Sequence, residues 1–263
     1  RSPHLGDAAR VLRSGIALAV HDRGGDAAVG AWGPVTVAIT GTVCGGGGRG
    51  VSSETAVELA RRWCEMADAV FDNANGDLAA IVCDARNNAV VAGRTPPFGR
   101  PLFVGERAGR WLIASEIGQV VTGLELPWTP DSEGLARFVA GSPAAGRGTV
   151  VKGVERILPG ELWRIAAGES PATPQRTTFW SPPSVATGWT RERAAGALRA
   201  SIDTAVLGRL PQDGCAVAVS GGLSSAAVWA SVAAHAAAEP QAAAVVAITN
   251  RDPRRASDGS ERV

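Results

Sequence analysis

The chain has 263 residues, of which 45% are hydrophobic, and a formal net charge of +1 at pH 7. This length allows one large domain or two ordinary domains with a sizeable core, and the nearly neutral charge excludes a strong field for nucleic acid or an anionic membrane. Neither a membrane-length apolar run nor a signal-peptide core is present, so we expect a cytoplasmic protein without a nucleic-acid or membrane partner.

The first part of the chain predicts strands, glycine-rich turns and one helix. Residues 16–20 and 35–43 are apolar and rich in β-branched side chains. The second segment alternates Val and Ile with Thr and Ala, which predicts a strand with one face toward a core. Ser52 or Ser53 offers an N-cap, with Glu54 in the first turn, for a helix that ends near residue 69.

Short strands follow this helix. The Asn75-Gly76 pair predicts a turn into a strand pair. Hairpin strands with a few helices predict an α+β domain with an antiparallel sheet. The predicted elements are strands at 78–84, 89–92, 101–104 and 111–114, and a short helix that begins at Ser115-Glu116.

The last third of the chain changes character. Residues 171–188 are rich in Pro, Ser and Thr and predict a connector. Thr190 caps a predicted helix that reaches about residue 210, with apolar residues at spacings of 3, 4 and 7. A strand at 215–219 and the apolar run 243–248, separated by a helix, predict one right-handed crossover between parallel strands, with the second strand buried on both faces.

The turn after the first of these strands has the composition of an anion site. Small residues let backbone N–H groups turn inward, and the following helix adds unpaired N–H groups and the positive end of its dipole. The turn matches neither GxxxxGK[ST] nor GxGxxG. Its candidate nucleotide-binding residues are Ser220, Gly221, Gly222, Leu223, Ser224 and Ser225.

This SGGLSS segment resembles the SGGxDS pyrophosphate loop of the ATP pyrophosphatase superfamily, with Ser224 in the place of the family's Asp. The resemblance implies ATP and Mg²⁺ as cofactors, with weaker metal binding because serine lacks the charge. Asp258 is the candidate metal ligand, since relatives often carry an acidic pair after the second strand, and Glu261 is the other acid. A solvated surface is the alternative for both. An exposed basic cluster is likewise the alternative to phosphate binding for three arginines, Arg251, Arg254 and Arg255.

Five shorter segments resemble, in order, the amidotransferase half of class B asparagine synthetases. They are NGDLAAIVCD, RTPPFGRPLFV, WLIASEIGQVV, VERILPGELWRI and TTFW. With SGGLSS, the resemblance to the asparagine synthetase-like superfamily covers roughly residues 75 to 260. It implies an α+β amidotransferase-like domain at 1–170, a linker at 171–189, and at 190–263 the start of an α/β ATP pyrophosphatase-type parallel-sheet domain.

The family's nucleophile is an N-terminal Cys, whereas the printed chain begins Arg-Ser-Pro-His. The expectation is therefore a front domain that keeps the fold and lacks glutaminase chemistry. Processing to Cys44 is the alternative, and it would discard the strand at 35–43. Glu116 matches the family's Ser-Glu pair, and we expect it to have a structural role. The chain's only lysine is Lys152, so any lysine base within it would be that residue.

The resemblance implies that a carboxylate is first adenylated and then attacked by an amine. Without ammonia, the amine would come from the substrate, as in lasso peptide cyclases, which macrocyclise a precursor peptide through an isopeptide bond. That reading implies a precursor peptide, a leader peptidase and a leader-recognition protein as partners, and places the catalytic residues beyond Val263. The alternatives are a β-lactam synthetase closing a four-membered ring, an asparagine synthetase, and a non-catalytic peptide-binding module.

Overall fold

A computed structural model of the chain shows two compact units. It describes residues 8–13, 16–21, 25–44, 50–72, 74–96, 99–142, 146–167, 173–184, 188–211, 214–239 and 244–249. Unit 1 contains the described residues of Arg1–Val43 and Gly50–Pro182, and unit 2 contains those of Cys44–Arg49 and Pro183–Val263.

Unit 1 consists of antiparallel strands and short helices. Its strands are β1 (Ala8–Arg13), β2 (Ile16–His21), β3 (Ala27–Trp32), β4 (Val35–Val43), β5 (Gly76–Asp84), β6 (Ala89–Arg94), β7 (Phe103–Arg107), β8 (Arg110–Ala114), β9 (Val154–Arg156), β10 (Glu161–Ala166) and β11 (Gln175–Thr178). Its helices are α1 (Ser53–Met66), α2 (Ile117–Gly123), α3 (Ser132–Val139) and a 3-10 turn at Ala67–Val70. The predicted α+β class is confirmed for this unit, and β11 lies within the segment that the sequence assigns to the linker.

A six-stranded antiparallel sheet is the centre of unit 1. Its strand order is β11-β10-β6-β5-β4-β3. The predicted hairpin of β5 and β6 is confirmed, with Asp84 opposite Ala89 at the turn. The sequence does not predict β3, because its residues are mostly small and lack the alternation of a typical strand. They are small because α1 packs closely against this strand. A methyl group built on Gly30 would lie 2.5 Å from the backbone nitrogen of Val57, so α1 approaches β3 too closely for any side chain there.

Helix α1 covers one face of this sheet. Its N-cap is Ser52, whose hydroxyl accepts from the Thr55 amide at 3.2 Å, which confirms the predicted start. Trp63 is 1% exposed and donates from Nε1 to Asp84 Oδ2 at 3.0 Å, and Asp84 also pairs with Arg86 at 2.7 Å. The apolar residues packed on this face include Val35, Val37, Ile39, Ala56, Ala60, Val82 and Val91.

A second β layer covers the opposite face. Leu18 of β2 packs with Ala38 of β4 and Cys83 of β5. Residues 35–39 are consequently buried on both faces, so the prediction of a half-buried strand is wrong for β4. The strand that covers this second face is β2, which pairs with β1. The alternation of residues within β4 gives no information about a strand from another part of the chain.

A three-stranded sheet of order β8-β7-β9 completes that layer. Val104 and Ile157 pack with Trp163 of the six-stranded sheet, while Val120 and Val121 of α2 pack on the other side of the three-stranded sheet. Unit 1 therefore has four layers: α1, the six-stranded sheet, the second β layer and α2. In the predicted short helix, Glu116 is the N-cap but makes no side-chain capping bond.

Unit 2 contains α4 (Arg191–Leu207), β12 (Cys215–Ala218), α5 (Leu223–Ala238) and β13 (Val245–Ile248). Thr190 caps α4 by accepting from the Arg193 amide at 3.2 Å, and β12 pairs with β13 in parallel, so both predictions are confirmed. The prediction of burial on both faces is wrong, because Val246 and Ile248 are 58% and 56% exposed. The apolar stripe of α4 likewise supplies no buried residue.

The cysteines and the helices bear on the chemistry and location open to the chain. Among the described residues, no disulfide joins Cys44, Cys64, Cys83 or Cys215. Across the described ranges, no helix combines the length and the apolar character that crossing a bilayer requires.

Candidate nucleotide-binding site

The SGGLSS segment connects β12 to α5. Val219 continues the parallel ladder beyond β12, donating its amide to the Ile248 carbonyl at 2.8 Å, and its side chain is 2% exposed. Ser220 and Gly221 turn the chain, and α5 begins at Leu223 with Gly222 as its N-cap. The sequence-derived order of strand, turn and helix is therefore confirmed around this segment.

The two glycines of the turn have different backbone requirements. Gly221 has φ +76°, a left-handed conformation that side chains with a β-carbon disfavour. Gly222 is extended, with φ −82° and ψ 158°, and a methyl group built on it would have Ser220 Oγ as its nearest neighbour, at 3.6 Å. Only the glycine at 221 is required by the backbone conformation.

Two of the three serine hydroxyls hold the turn together. Ser225 Oγ accepts from the Ser220 amide at 3.2 Å, lies 3.2 Å from Ser220 Oγ and donates to the Gly222 carbonyl at 3.1 Å. Ser224 is exposed, and no hydrogen bond from its hydroxyl is found among the described residues. The structure thus separates Ser220 and Ser225, which shape the turn, from Ser224, which is open to solvent.

The start of α5 presents backbone donors. Its first intrahelical bond runs from the Ala226 amide to the Gly222 carbonyl at 3.0 Å, so the amides of residues 223–225 precede the helical ladder. No side chain caps this end, and Leu223 is 89% exposed. Because α5 spans 16 residues, its N-terminus also carries the partial positive charge of a full-length helix dipole. The arrangement has the chemical properties needed to bind a phosphate group.

A polar bridge fixes α5 against α4. Ser231 is 3% exposed and donates to Asp203 Oδ1 at 2.5 Å, while Arg199 Nε donates to Asp203 Oδ2 at 3.1 Å. The hydrogen bond from Ser231, assisted by that from Arg199, holds the pKa of Asp203 below its ordinary value. The sequence did not predict this bridge. Nothing in the sequence indicates that an acid in one helix and a serine in the next helix lie in contact.

The predicted metal ligand cannot be placed. Asp258, Glu261 and the arginines at 251, 254 and 255 lie outside the described residues. Within the described ranges, no group of three or more His, Cys, Asp or Glu side chains is arranged to hold a metal ion.

Lys152, the candidate for a lysine base, lies in unit 1. Its side chain is exposed, and its amide donates to the Thr129 carbonyl at 2.9 Å.

Comparison with known proteins identifies the front part of the chain. Residues 49–180, half of the sequence, match the family of the glutamine amidotransferase domain. The chain belongs to this family. The match confirms the amidotransferase-like front domain predicted from the short segments between residues 75 and 180.

The other comparisons are more distant. One solved structure that resembles the chain is glutamine phosphoribosylpyrophosphate amidotransferase from B. subtilis complexed with ADP and GMP, at 16% identity and a TM-score of 0.33. The alignment covers 76% of this chain and 44% of that chain, so the sequence spans less than half the length of that protein. No curated protein matches the sequence.

Proposed function

We propose that this amidotransferase-family chain is part of an ATP-dependent ligase that forms an amide bond. The observation that carries the proposal is the SGGLSS turn, which ends a parallel strand, places a glycine at φ +76° and opens the uncapped start of α5 to solvent. The turn's resemblance to a pyrophosphate loop supports ATP as the ligand. Helix N-termini of this kind bind phosphate through backbone amides.

The proposed chemistry has two steps. A substrate carboxylate oxygen attacks the α-phosphorus of ATP, so that the bond to the β-phosphate oxygen breaks and pyrophosphate leaves. An amine then attacks the acyl carbon of the adenylate, forming the amide and releasing AMP and a proton. The turn would stabilise the negative charge of the departing pyrophosphate with fixed donors, and binding both substrates would bring the amine close to the acyl carbon.

The described residues fit the phosphate portion of ATP and give little support for a metal. The amides of residues 223–225 and the Ser224 hydroxyl are available donors, and among the serine hydroxyls of the turn only that of Ser224 is not engaged within it. Mg²⁺ bound with ATP would supply further neutralisation of phosphate charge. In this proposal the chain acts on the phosphates through the backbone donors at the start of α5.

For the amine, we propose the N-terminal amine of the same peptide, as in the lasso peptide cyclases that the sequence resembles. The substrate would be a precursor peptide, and the acid would be an Asp or Glu side chain of that peptide. A leader peptidase and a leader-recognition protein are the partners that this proposal implies.

Ammonia from glutamine is the second candidate for the amine. The match of residues 49–180 to the glutamine amidotransferase domain favours it. In that case the product would be a primary amide such as asparagine, and glutamate would be released in equal amount.

ATP–pyrophosphate exchange tests the proposal. The protein is incubated with ATP, Mg²⁺, labelled pyrophosphate and a candidate precursor peptide, and label incorporation into ATP is measured. We expect peptide-dependent exchange and a peptide product that is lighter by one water in the mass spectrum. Exchange driven instead by a small carboxyethyl amino acid would identify a β-lactam synthetase.

Glutamine hydrolysis separates the two sources of the amine. Glutamate release coupled to AMP formation from aspartate would support glutamine-dependent amidation and contradict the cyclase. Absence of exchange with every carboxylate substrate, with ATP binding also absent, would contradict a ligase of any kind.

A further inference from the structure

Unit 1 contains a group of arginines around residues 146–148. Arg137 projects from α3, Arg147 lies in the turn itself, and Arg156 ends β9. A methyl group built on Gly148 would lie 3.3 Å from Arg137 Nη1, and Arg156 Nη2 donates to the Gly148 carbonyl at 3.1 Å. Two guanidinium groups therefore flank Gly148.

The backbone fixes this convergence. The Arg156 amide donates to the Arg147 carbonyl at 2.8 Å, and Gly148 forms an isolated antiparallel bridge with Glu155. Glu155 itself pairs with Arg176 at 3.2 Å, and successive residues of a strand point to opposite faces. Its carboxylate is consequently engaged away from Arg156.

The positive charge of the group exceeds the nearby negative charge. Arg137 pairs with Glu133, and Arg147 pairs with Glu161, whose side chain is 6% exposed. Among the described residues, no salt bridge is found for Arg156 or for the neighbouring Arg94, which uses Nη1 to bond the Ile157 carbonyl at 2.9 Å. Four guanidinium groups with two carboxylates leave an excess of two positive charges, on Arg94 and Arg156.

Burial makes this excess of positive charge unfavourable for the folded state. Burial and the charge of Arg156 lower the pKa of Arg94, and burial and the charge of Arg137 lower the pKa of Arg156. The Nε atoms of Arg94, Arg147 and Arg156 are buried without a hydrogen-bond partner in the described part of the chain. Like charges that are partly buried, and not balanced by carboxylates, are stabilised by a bound anion.

We propose that Arg137 and Arg156, whose guanidinium groups flank Gly148, form a binding site for a small oxyanion, either a phosphate or a carboxylate. The Nη1 groups of Arg137 and Arg156 make no hydrogen bond in the described structure, and the side chain of Arg137 is 33% exposed, which leaves it accessible from solvent. The planar guanidinium fork matches the oxygens of both anions. The site is independent of the proposed ligase activity.

Isothermal titration of the whole chain with inorganic phosphate, at constant ionic strength set with chloride, tests this site. We expect saturable binding that Arg156→Met weakens by about tenfold or more, which corresponds to about 1.4 kcal/mol. The matched control is Arg110→Met, because Arg110 is an exposed arginine of β8 in the same unit. This control should bind phosphate as the wild type does.

Two further variants distinguish this site from the SGGLSS turn and guard against a folding defect. Phosphate at the SGGLSS turn would be lost in Gly221→Val and kept in Arg156→Met, so the two sites are distinguished. If circular dichroism shows that Arg156→Met does not fold, Arg137→Met replaces it, since that side chain lies at the surface.

Glutarate at the same ionic strength identifies the ligand class. Tighter phosphate binding supports a phosphate ligand, and tighter glutarate binding supports a carboxylate. The proposal is overturned if neither anion binds the Gly221→Val protein, or if the arginine variant binds both as tightly as the control does.

Discussion

The two units of this chain bury their sheets in different ways. Unit 1 covers both faces of its six-stranded sheet, and Trp63 and Trp163, on opposite faces, are each 1% exposed. In the described part of unit 2, the buried residues are Val219, Ser231 and Val232, and one face of the two-stranded sheet exposes Val246 and Ile248. Antiparallel strands can leave one face in water, whereas parallel strands are normally covered on both.

Unit 1 therefore has a core that its own layers enclose, whereas the sheet of unit 2 has one face exposed to solvent. The layers of unit 1 pack against each other, so its stability is explained by contacts between described residues. A two-stranded sheet is marginal alone, and unit 2 depends on α5 and on the bridge from Ser231 to Asp203. Substitutions in unit 1 should therefore have larger effects on stability than chemically similar substitutions on the exposed face of unit 2.

The largest effect is expected at the centre of unit 1. Trp63→Ala removes a fully buried ring and leaves Asp84 without one of its donors, so we expect the free energy of unfolding to fall by about 3–5 kcal/mol. Chemical denaturation measures the change. Trp128→Ala is the matched control, since that ring is 65% exposed, and it should stay within about 0.5 kcal/mol of the wild type. Equal losses in the two variants would contradict the proposed core.

A smaller, pH-dependent effect is expected at Asp84. Burial raises the pKa of this carboxyl group, but hydrogen bonds from Arg86 and Trp63 lower it more, so the net pKa lies below its ordinary value. Its stabilising contribution is therefore present above the unfolded-state pKa of about 3.9 and is lost as the pH falls through the folded-state pKa. Asp84→Asn should destabilise unit 1 by about 1–3 kcal/mol at pH 7.

Denaturation at several pH values checks this direction. The difference between the wild type and Asp84→Asn should shrink as the pH falls below about 4. A difference that stays constant down to the acid limb would show that the ion pair with Arg86 does not contribute.

The smallest effect is expected on the exposed face of unit 2. Ile248→Thr keeps β-branching and changes a side chain that is 56% exposed, so the free energy of unfolding should change by less than about 0.5 kcal/mol. Val219→Thr introduces the same hydroxyl where the side chain is 2% exposed, and it should cost about 1–3 kcal/mol. If Ile248→Thr were as costly as Val219→Thr, the exposed face would in fact be covered.

Local signals in the sequence predicted several elements of both units well. The Ser52 cap, the hairpin after Gly76 and the parallel pair of β12 and β13 each depend on neighbouring residues or on a short apolar run. Features that depend on distant parts of the chain were not predictable. The burial of β4 on both faces requires β2, and the strand character of β3 depends on contact between Gly30 and α1.

The candidate site shows the same limit. Composition alone indicated a phosphate-binding turn, but it could not distinguish the roles of the three serines. The structure shows that Ser225 bonds Ser220 and Gly222, because the helix start brings residue 225 back over the turn. The predicted metal ligand Asp258 lies outside the described residues and stays a prediction.

Ser224 is exposed, so a substitution there tests whether the turn binds a metal together with ATP. Ser224→Asp restores the residue that the resembled loop carries and adds a carboxylate beside the start of α5. We expect ATP to bind more tightly in the presence of Mg²⁺ than in the wild type, because a carboxylate is a stronger metal ligand than a hydroxyl. Calorimetric titration with and without Mg²⁺ checks this, and a variant whose affinity ignores Mg²⁺ would argue against a metal at Ser224.

Titration of the chain with a non-hydrolysable ATP analogue tests the central claim most directly. The account predicts saturable binding that is lost in Gly221→Val, where a β-branched residue cannot adopt φ +76° without strain, and kept in Ser201→Ala, a change on the exposed surface of α4. Failure of the wild type to bind the analogue, or equal binding by Gly221→Val, would contradict nucleotide binding at this turn.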